Sequence, residues 1–347
     1  MQVIKPGKHN LITDIIGISV GNAHDEDLKS GTTVLLTKSP SICSYHISGG
    51  APGTKETDLL KVENTVQEVN AITLSGGSSF GLDAASGVQA FLREKKIGFE
   101  IGDQVVPIVP AAIIFDLING GNKDWGKYAP YRDLGFDAAQ QAAKNKNQKF
   151  EIGSQGAGFG ALTANLKGGL GSASCVLSNG TTIGALVVVN ALGSANIANG
   201  ANFWASPFEL ENEFGGLGFP KTMPKDANKV VTKFQNRNTP QSAGTNTTIA
   251  IIATDATLTK AEAKRLSMSA HDGFARALWP VHTPMDGDLV FGLSTCDKPA
   301  PKDTNEWIEL CAHASSTMSR AIARAVYEAK EYKDDAAPTW QSVHGKA

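Results

Sequence analysis

The chain has 347 residues, a formal net charge of −2, 19% charged residues and 36 glycines. Its length allows a large buried core, and the near-neutral charge gives no electrostatic reason to bind nucleic acid or an anionic membrane. The four scattered cysteines, the polar N-terminus and the lack of a long apolar run indicate a cytoplasmic protein with reduced thiols and no membrane span.

The first half of the chain predicts short strands separated by turns, together with two helices. Two glycine-rich loops, 76–81 and 156–160, lack the spacing of phosphate-binding motifs, and close backbone packing is the favoured interpretation. The glycine-rich stretch 153–174 receives no strand assignment. Strands are predicted at 11–20, 32–37, 41–47, 71–74, 105–109 and 112–117, and helices after Gly81 and over 133–146.

The second half combines long apolar strands with longer helices. Residues 181–190 form an apolar run that ends at Asn190, and the polar segment 221–246 predicts a mobile surface segment. A capping box at 259–262 opens a helix to about residue 278; a strand at 290–293 and a final helix at 304–332 follow. Strands and helices mix without strict βαβ units, which favours an α+β fold in layers.

The stretch 244–255 carries the most specific chemistry. An apolar run at 249–253 predicts a fully buried strand, and Thr247 and Thr248 open it directly after Asn246. If the Thr247 hydroxyl cut the Asn246–Thr247 bond, Thr247 would gain a free α-amine. An α-amine with a pKa of about 7.7–8.0 can act as the general base for a hydroxyl on the same residue. The alternative is that both threonines are ordinary strand residues.

Five other residues could assist such a nucleophile. Asn190 could donate to an oxyanion or merely cap its strand, and Lys167 could stabilise charge or lie in a solvated turn. Asp286 and Asp288 could hold an amine or form an ordinary Asp-Gly turn. His282 could act as an acid or base, or be structural. The histidines and cysteines are dispersed, so we predict no metal and no cofactor.

Six short motifs, which follow one another along the chain, give it a resemblance to a known family. The chain resembles the L-aminopeptidase/D-esterase (DmpA-like) family, which includes β-peptidyl aminopeptidases and the nylon-oligomer hydrolase, over about residues 12–330. The motifs are 50–60 (GAPGTKETDLL), 74–85 (LSGGSSFGLDAA), 167–174 (KGGLGSAS), 187–190 (VVVN), 244–248 (GTNTT) and 284–288 (PMDGD).

The resemblance implies an autoprocessed N-terminal-nucleophile hydrolase with an αββα sandwich. It implies a single domain, 1–347, cleaved between Asn246 and Thr247 into chains 1–246 and 247–347 that stay associated. It also implies small peptide or amide substrates and a homo-oligomer, a tetramer or octamer. In this family pattern Thr247 is the nucleophile, Asn190 an oxyanion donor, Lys167 its support, and Asp286 and Asp288 the acidic pair near its amine.

Three positions depart from relatives, and two alternative functions stay open. Thr247 stands where many aminopeptidase members have serine, Phe115 stands where the nylon-oligomer hydrolase has a substrate-pocket tyrosine, and Pro284 replaces an aspartate. Phe115 lacks the hydroxyl donor, so the resemblance alone does not assign nylon-oligomer specificity to this chain. An ornithine-acetyltransferase type of acyl transfer is the first alternative, and a glycine-rich oligomeric binding protein that never cleaves is the second.

Overall fold

The fold is built on one mixed β-sheet that a long bent strand turns into two stacked layers. The computed structural model describes residues 4–145, 148–237 and 246–345. Its strands are β1 (Ile18–Asp25), β2 (Ser30–Ile47), β3 (Thr54–Lys55), β4 (Glu68–Ser75), β5 (Phe99–Ile101), β6 (Gln104–Val106), β7 (Ala111–Ile113), β8 (Gly169–Val176), β9 (Thr182–Asn190), β10 (Thr247–Ala256) and β11 (Leu289–Lys298).

The sheet order is β3-β7-β4-β2-β11-β10-β9-β8, with β1 also paired to β2, while β5 and β6 form a separate hairpin. β10 runs parallel to β11 and antiparallel to β9. The α-helices are α1 (Ala84–Glu94), α2 (Tyr131–Lys144), α3 (Lys233–Arg237), α4 (Lys260–Ala275), α5 (Thr304–Tyr327) and α6 (Trp340–His344).

Apolar clusters lie between successive layers and define an αββα sandwich. Side chains of β1, β2 and β4 meet those of β8 to β11 in one cluster, so the two halves of the sheet pack face to face. A second cluster packs α4 and α5 on the outer face of β8 to β11. A third packs α1 and α2 on the outer face of β2 and β4. The predicted αββα architecture is confirmed.

Strand β10 lies inside this sandwich with both faces covered. All ten of its residues are buried. Because successive side chains of a strand point to opposite faces, Ile249 and Ile251 enter the cluster between the sheets, and Ala250 and Ile252 enter the cluster under the helices. This is why the apolar run shows no alternation. The buried strand predicted at 249–253 is confirmed.

The structure corrects three of the predicted elements. The two strands predicted at 32–37 and 41–47 are one strand, β2, whose register against β4 shifts between Leu36 and Ser41. A short 3-10 helix, Ile12–Asp14, precedes β1 within the strand predicted at 11–20. The final helix α5 ends at Tyr327, short of the predicted 332.

Strand β8 was not predicted because its glycines weaken the strand signal. A Cβ at Gly169 would lie 2.4 Å from the carbonyl oxygen of Ala325, and one at Gly171 would lie 1.9 Å from that of Ala321. Both carbonyls belong to α5, so the helix backbone approaches β8 more closely than a side chain permits. The glycines therefore serve packing between a strand and a helix.

Within residues 4–145, 148–237 and 246–345, no helix is both long and apolar enough to cross a membrane. Over the same residues, no three His, Cys, Asp or Glu side chains are grouped so as to hold a metal ion. Cys43, Cys175, Cys296 and Cys311 are free thiols.

Candidate active site

Three strand ends bring the candidate residues together. Thr247 begins β10 and pairs with Asn190, the last residue of the antiparallel strand β9. Asn246 forms a parallel bridge with Asp286, just before β11. By the alternation of side chains, Thr247 and Asn190 continue the strand faces that lie between the two sheets. Thr247 is only 1% exposed.

The Asn246–Thr247 peptide has its carbonyl group polarised on two sides. The Thr247 hydroxyl donates a hydrogen bond to the Asn246 carbonyl oxygen at 2.5 Å, and the Gly287 N–H donates to the same oxygen at 3.0 Å. A Cβ at Gly287 would lie 2.7 Å from Thr247 Oγ1 and 2.7 Å from the Ala51 carbonyl oxygen. Glycine is therefore required where the acidic loop passes the hydroxyl.

The side chain of Asn190 is fixed by hydrogen bonds at both ends of its amide. Oδ1 accepts from the Leu162 N–H at 3.0 Å and from the Lys233 ammonium at 3.0 Å. Nδ2 donates to the Phe115 carbonyl oxygen at 3.0 Å. An amide nitrogen carries two N–H groups, so this contact engages only one of them. The contact with Phe115 also links β9 to the chain that follows β7 in the other sheet.

Lys233 is the residue of this group that the sequence analysis missed. The segment 221–246 was predicted to be a mobile surface segment, yet the Lys233 side chain is buried and its backbone N–H donates to the Leu192 carbonyl at 2.9 Å. Its ammonium also approaches the Asn190 carbonyl oxygen at 3.3 Å. Within residues 221–237, the prediction of a mobile surface segment is therefore wrong at Lys233. Residues 238–245 lie outside the described part of the chain. The neighbouring buried Phe234 was the available signal.

The two acidic residues occupy one buried loop but have different partners. Asp288 accepts from the Thr248 N–H at 2.8 Å through Oδ1, and from the His282 ring Nδ1 at 2.7 Å through Oδ2. Asp286 accepts through Oδ2 from the Thr283 N–H at 2.8 Å and from the Thr283 hydroxyl at 2.7 Å. Burial, and then the charge of Asp288, raise the pKa of Asp286 to about 6.

The loop that carries this pair is supported by the segment after β2. The N–H groups of Ser48 and Gly49 donate to the Asp288 carbonyl at 3.0 and 3.2 Å, and that of Ala51 donates to the Asp286 carbonyl at 2.8 Å. A Cβ at Gly49 would lie 2.3 Å from the Asp286 carbonyl oxygen. The start of the 50–60 motif therefore lies directly behind the acidic loop.

Lys167 lies near Asn190 through its backbone, while its ammonium points to a different group. It pairs with Leu162 in an isolated bridge, next to the N–H that Asn190 binds. Its ammonium contacts Asp335 at 2.6 Å and lies over the Tyr332 ring. Burial lowers the pKa of Lys167 despite that carboxylate. The structure therefore pairs Lys167 with the C-terminal segment, and its support of the nucleophile stays a prediction.

Comparison with known proteins assigns the family. The model of peptidase family S58 matches residues 10–337. An uncharacterized aminopeptidase of Mycobacterium leprae is 38% identical over 348 residues, covering 95% of this chain and 93% of the relative. A 6-aminohexanoate-oligomer endohydrolase of Kocuria sp. is 27% identical over 312 residues, covering 87% of this chain and 79% of that protein.

Two solved structures share the fold. A Burkholderia sp. β-aminopeptidase superposes with a TM-score of 0.68 at 20% identity, over 98% of this chain and 93% of that chain. The L-aminopeptidase D-Ala-esterase/amidase of Ochrobactrum anthropi, described as a variant of the Ntn hydrolase fold, gives 0.69 at 19% identity over 100% and 97%. Because the family model spans nearly the whole chain, the chain belongs to peptidase family S58 and is a hydrolase with this variant of the Ntn fold.

Proposed function

We propose that the chain cuts itself between Asn246 and Thr247 and then uses Thr247 to hydrolyse amide bonds of small peptides or amino-acid derivatives. The observation that carries this proposal is the contact of the Thr247 hydroxyl with the Asn246 carbonyl, which also accepts the Gly287 N–H. This contact keeps the nucleophilic oxygen next to the carbonyl group, and the backbone donor polarises that carbonyl for acyl transfer.

The self-cleavage proceeds by an N-to-O acyl shift. Thr247 Oγ1 attacks the Asn246 carbonyl carbon and closes a five-membered ring, while the Gly287 N–H stabilises the oxyanion. The hydroxyl proton passes to the peptide nitrogen, the C–N bond breaks, and an ester links Asn246 to the Thr247 oxygen. Water hydrolyses this ester and leaves a carboxylate on Asn246 and a free amine and hydroxyl on Thr247.

The mature reaction repeats the same chemistry on a substrate. The Thr247 amine takes the proton of its own hydroxyl, and the oxygen attacks the substrate amide carbon. The second amide N–H of Asn190 and the Gly287 N–H stabilise the oxyanion, and the leaving amine accepts the proton. Water then releases the acyl group from Thr247.

Substrate selection rests on the acidic pair and on relatives. Asp286 and Asp288 are buried carboxylates one residue from Gly287, so they offer negative charge to an ammonium group on the substrate or on Thr247. The relatives named aminopeptidase and 6-aminohexanoate-oligomer endohydrolase act, by their names, on amides that carry amines. We assign the Phe115 side chain, which is half-buried, to the substrate pocket.

Lys167 remains a candidate for supporting the nucleophile. Direct contact would require its ammonium to leave Asp335, to which it is bound at 2.6 Å. Support from its present position would be electrostatic and long-range.

The test is the cleavage pattern of matched threonine variants. Thr247→Val and Thr248→Val each lose one hydroxyl, and Thr248 Oγ1 has no hydrogen-bond partner within the described residues. We expect wild type and Thr248→Val to give two fragments, with Thr247 as the new N-terminus, and to hydrolyse amino-acid amides. We expect Thr247→Val to stay intact and inactive. Intact mass, N-terminal sequencing and an amidase assay decide; cleavage of Thr247→Val, or a different new N-terminus, contradicts the proposal.

We further propose that the two chains stay together and that several such units form a cytoplasmic tetramer or octamer. The family resemblance supports the association of the chains and the oligomer, and the four free thiols support the cytoplasmic location. Light scattering of the cleaved protein, with both fragments recovered from one native peak, is the measurement.

A further inference from the structure

We propose that His282 is a positioning residue that orients the Asp288 carboxylate beside the start of β10 and so supports the reaction at Thr247. This inference rests on the proposed function of Thr247. His282 has no step in the chemistry proposed for Thr247, because it contacts Asp288 and not the nucleophile.

His282 gives two donors to one carboxylate oxygen. Its ring Nδ1 lies 2.7 Å from Asp288 Oδ2, and its backbone N–H donates to the same oxygen at 3.2 Å. The other oxygen, Oδ1, accepts the Thr248 N–H at 2.8 Å. Three donors thus surround a carboxylate that is 1% exposed, and one of them belongs to the residue next to Thr247.

The backbone of His282 is held in a conformation that suits this double contact. Its φ is +53°, in the left-handed region that non-glycine residues rarely occupy. Such conformations persist where the surroundings impose them, and they concentrate at functional sites. Here the conformation lets one residue present both its N–H and its ring to the same oxygen.

The surroundings of the ring place a proton on Nδ1, which faces the Asp288 carboxylate. The ring packs against His271 and Phe274 of α4, with centroids 4.8 and 5.3 Å away. Its Nε2 is buried and has no hydrogen-bond partner among the described residues, so a proton there would be buried without an acceptor. A ring with Nδ1–H therefore satisfies Asp288.

The neighbouring histidines do not supply a competing positive charge. Burial lowers the pKa of His271 to about 3, and its Nε2 lies 3.0 Å from the His46 carbonyl oxygen. Burial, and then the charge of Lys264 on α4, lower the pKa of His46 on β2. Among the described residues, the charged group in hydrogen-bond contact with His282 is therefore the Asp288 carboxylate.

This arrangement divides the roles of the two acids. Asp288 receives three donors and carries the negative charge beside the start of β10, whereas burial and that charge raise the pKa of Asp286. If the ring donor is removed, Asp288 keeps only the backbone donors of His282 and Thr248, and its orientation beside the start of β10 should loosen. The reaction at Thr247 should then slow, and another donor in place of Nδ1–H should restore it.

The experiment compares kcat/KM for wild type, His282→Ala and His282→Asn, corrected for the cleaved and folded fraction. We expect His282→Ala to lose about tenfold in kcat/KM, the effect of one hydrogen bond to a charged group. In His282→Asn the amide N–H replaces Nδ1–H, and asparagine tolerates positive φ, so kcat/KM should return toward wild type.

Two results would overturn the inference. One is a His282→Ala variant with the kcat/KM of wild type; the other is a loss that asparagine does not restore, which would indicate a merely structural role. If His282→Ala does not fold, nitrogen NMR of 15N-histidine-labelled wild type decides. The expected signal is a protonated Nδ1, assigned by its loss in His282→Asn, and a ring protonated on Nε2 alone contradicts the inference. Failure of the proposed function shows separately, as a wild type that neither cleaves nor hydrolyses amides.

Discussion

Replacing Lys233 by methionine tests whether a buried cation strengthens the oxyanion donor. Lys233 supplies one of two donors to Asn190 Oδ1, and its ammonium lies 3.0 Å from that oxygen. Methionine keeps most of the side-chain length and removes both the charge and the donor. Asn190 would keep the Leu162 N–H and the Phe115 carbonyl, so its orientation should loosen without collapsing.

The magnitude follows from the strength of this contact. A hydrogen bond to a charged group contributes about 1.5–3 kcal/mol, and loss of an entire oxyanion donor costs about 10²–10³ in rate. Because Asn190 remains held at two points, we expect the smaller effect, about 1.4 kcal/mol or a tenfold loss. The loss should fall on kcat and leave KM nearly unchanged, since the oxyanion forms only in the transition state.

Lys260→Met is the matched control. The Lys260 side chain is also buried, and its ammonium donates to the carbonyls of Leu59, Asn64 and Val66 at 3.0, 2.9 and 2.6 Å, without contacting Asn190. Steady-state kinetics of amide hydrolysis, corrected for the cleaved and folded fraction, measures both variants. We expect Lys260→Met to lower the free energy of unfolding and leave kcat unchanged. A wild-type kcat for Lys233→Met, or an equal loss in both variants, refutes the reasoning.

Three further variants test other parts of the site. Gly287→Ala places a Cβ 2.7 Å from Thr247 Oγ1, so self-cleavage should slow about 10²-fold. The control Gly200→Ala, whose Cβ would meet only the Ile197 carbonyl oxygen at 3.1 Å, should cleave normally. Gels run at successive times after synthesis measure the cleavage of both variants. Because the pKa of Asp286 is raised to about 6 in the folded state, ionisation there costs stability as the pH rises from about 4 to 6. Asp286→Asn should therefore gain about 2 kcal/mol in unfolding free energy over wild type between pH 4 and pH 7 in urea titrations, and a gain that does not change with pH would contradict this. Asp335→Ala leaves the ammoniums of Lys29 and Lys167 without their shared carboxylate and should cost about 3–5 kcal/mol, whereas the exposed Glu331→Ala should cost little; chemical denaturation separates them, and equal stabilities would argue against a buried ion cluster.

The sequence predicted those parts of the fold that depend on local pattern. The apolar run of β10, the apolar strand β9 with Asn190 at its end, and the capping box at Thr259 all match the structure. The capping geometry is local, with the Thr259 hydroxyl accepting the Glu262 N–H. The burial of β9 and β10 likewise follows from the apolar composition of each strand.

The sequence did not predict features that depend on distant partners. β8 was not predicted as a strand because Gly169 and Gly171 are required by a distant contact. They allow the close approach of the α5 backbone, which lies more than 140 residues later in the chain at the points of contact. Lys233 looked solvated because its partner, Asn190, is 43 positions away. The predicted support of Thr247 by Lys167 stays a prediction, and the pairing of its ammonium with Asp335 could not be predicted from a lysine among glycines.

The placement of Thr247 within the sheet has a consequence for the order of events in the life of the chain. The Gly287 N–H meets the Thr247 hydroxyl and the Asn246 carbonyl only when β10 lies beside β11, a strand that begins more than 30 residues later in the chain. A nascent or collapsed chain that has not assembled these two strands lacks the geometry for scission. Under the proposed mechanism, each cleaved Asn246–Thr247 bond therefore shows that one molecule has completed its tertiary structure. Counting fragments over time would measure folding inside a cell without any added label.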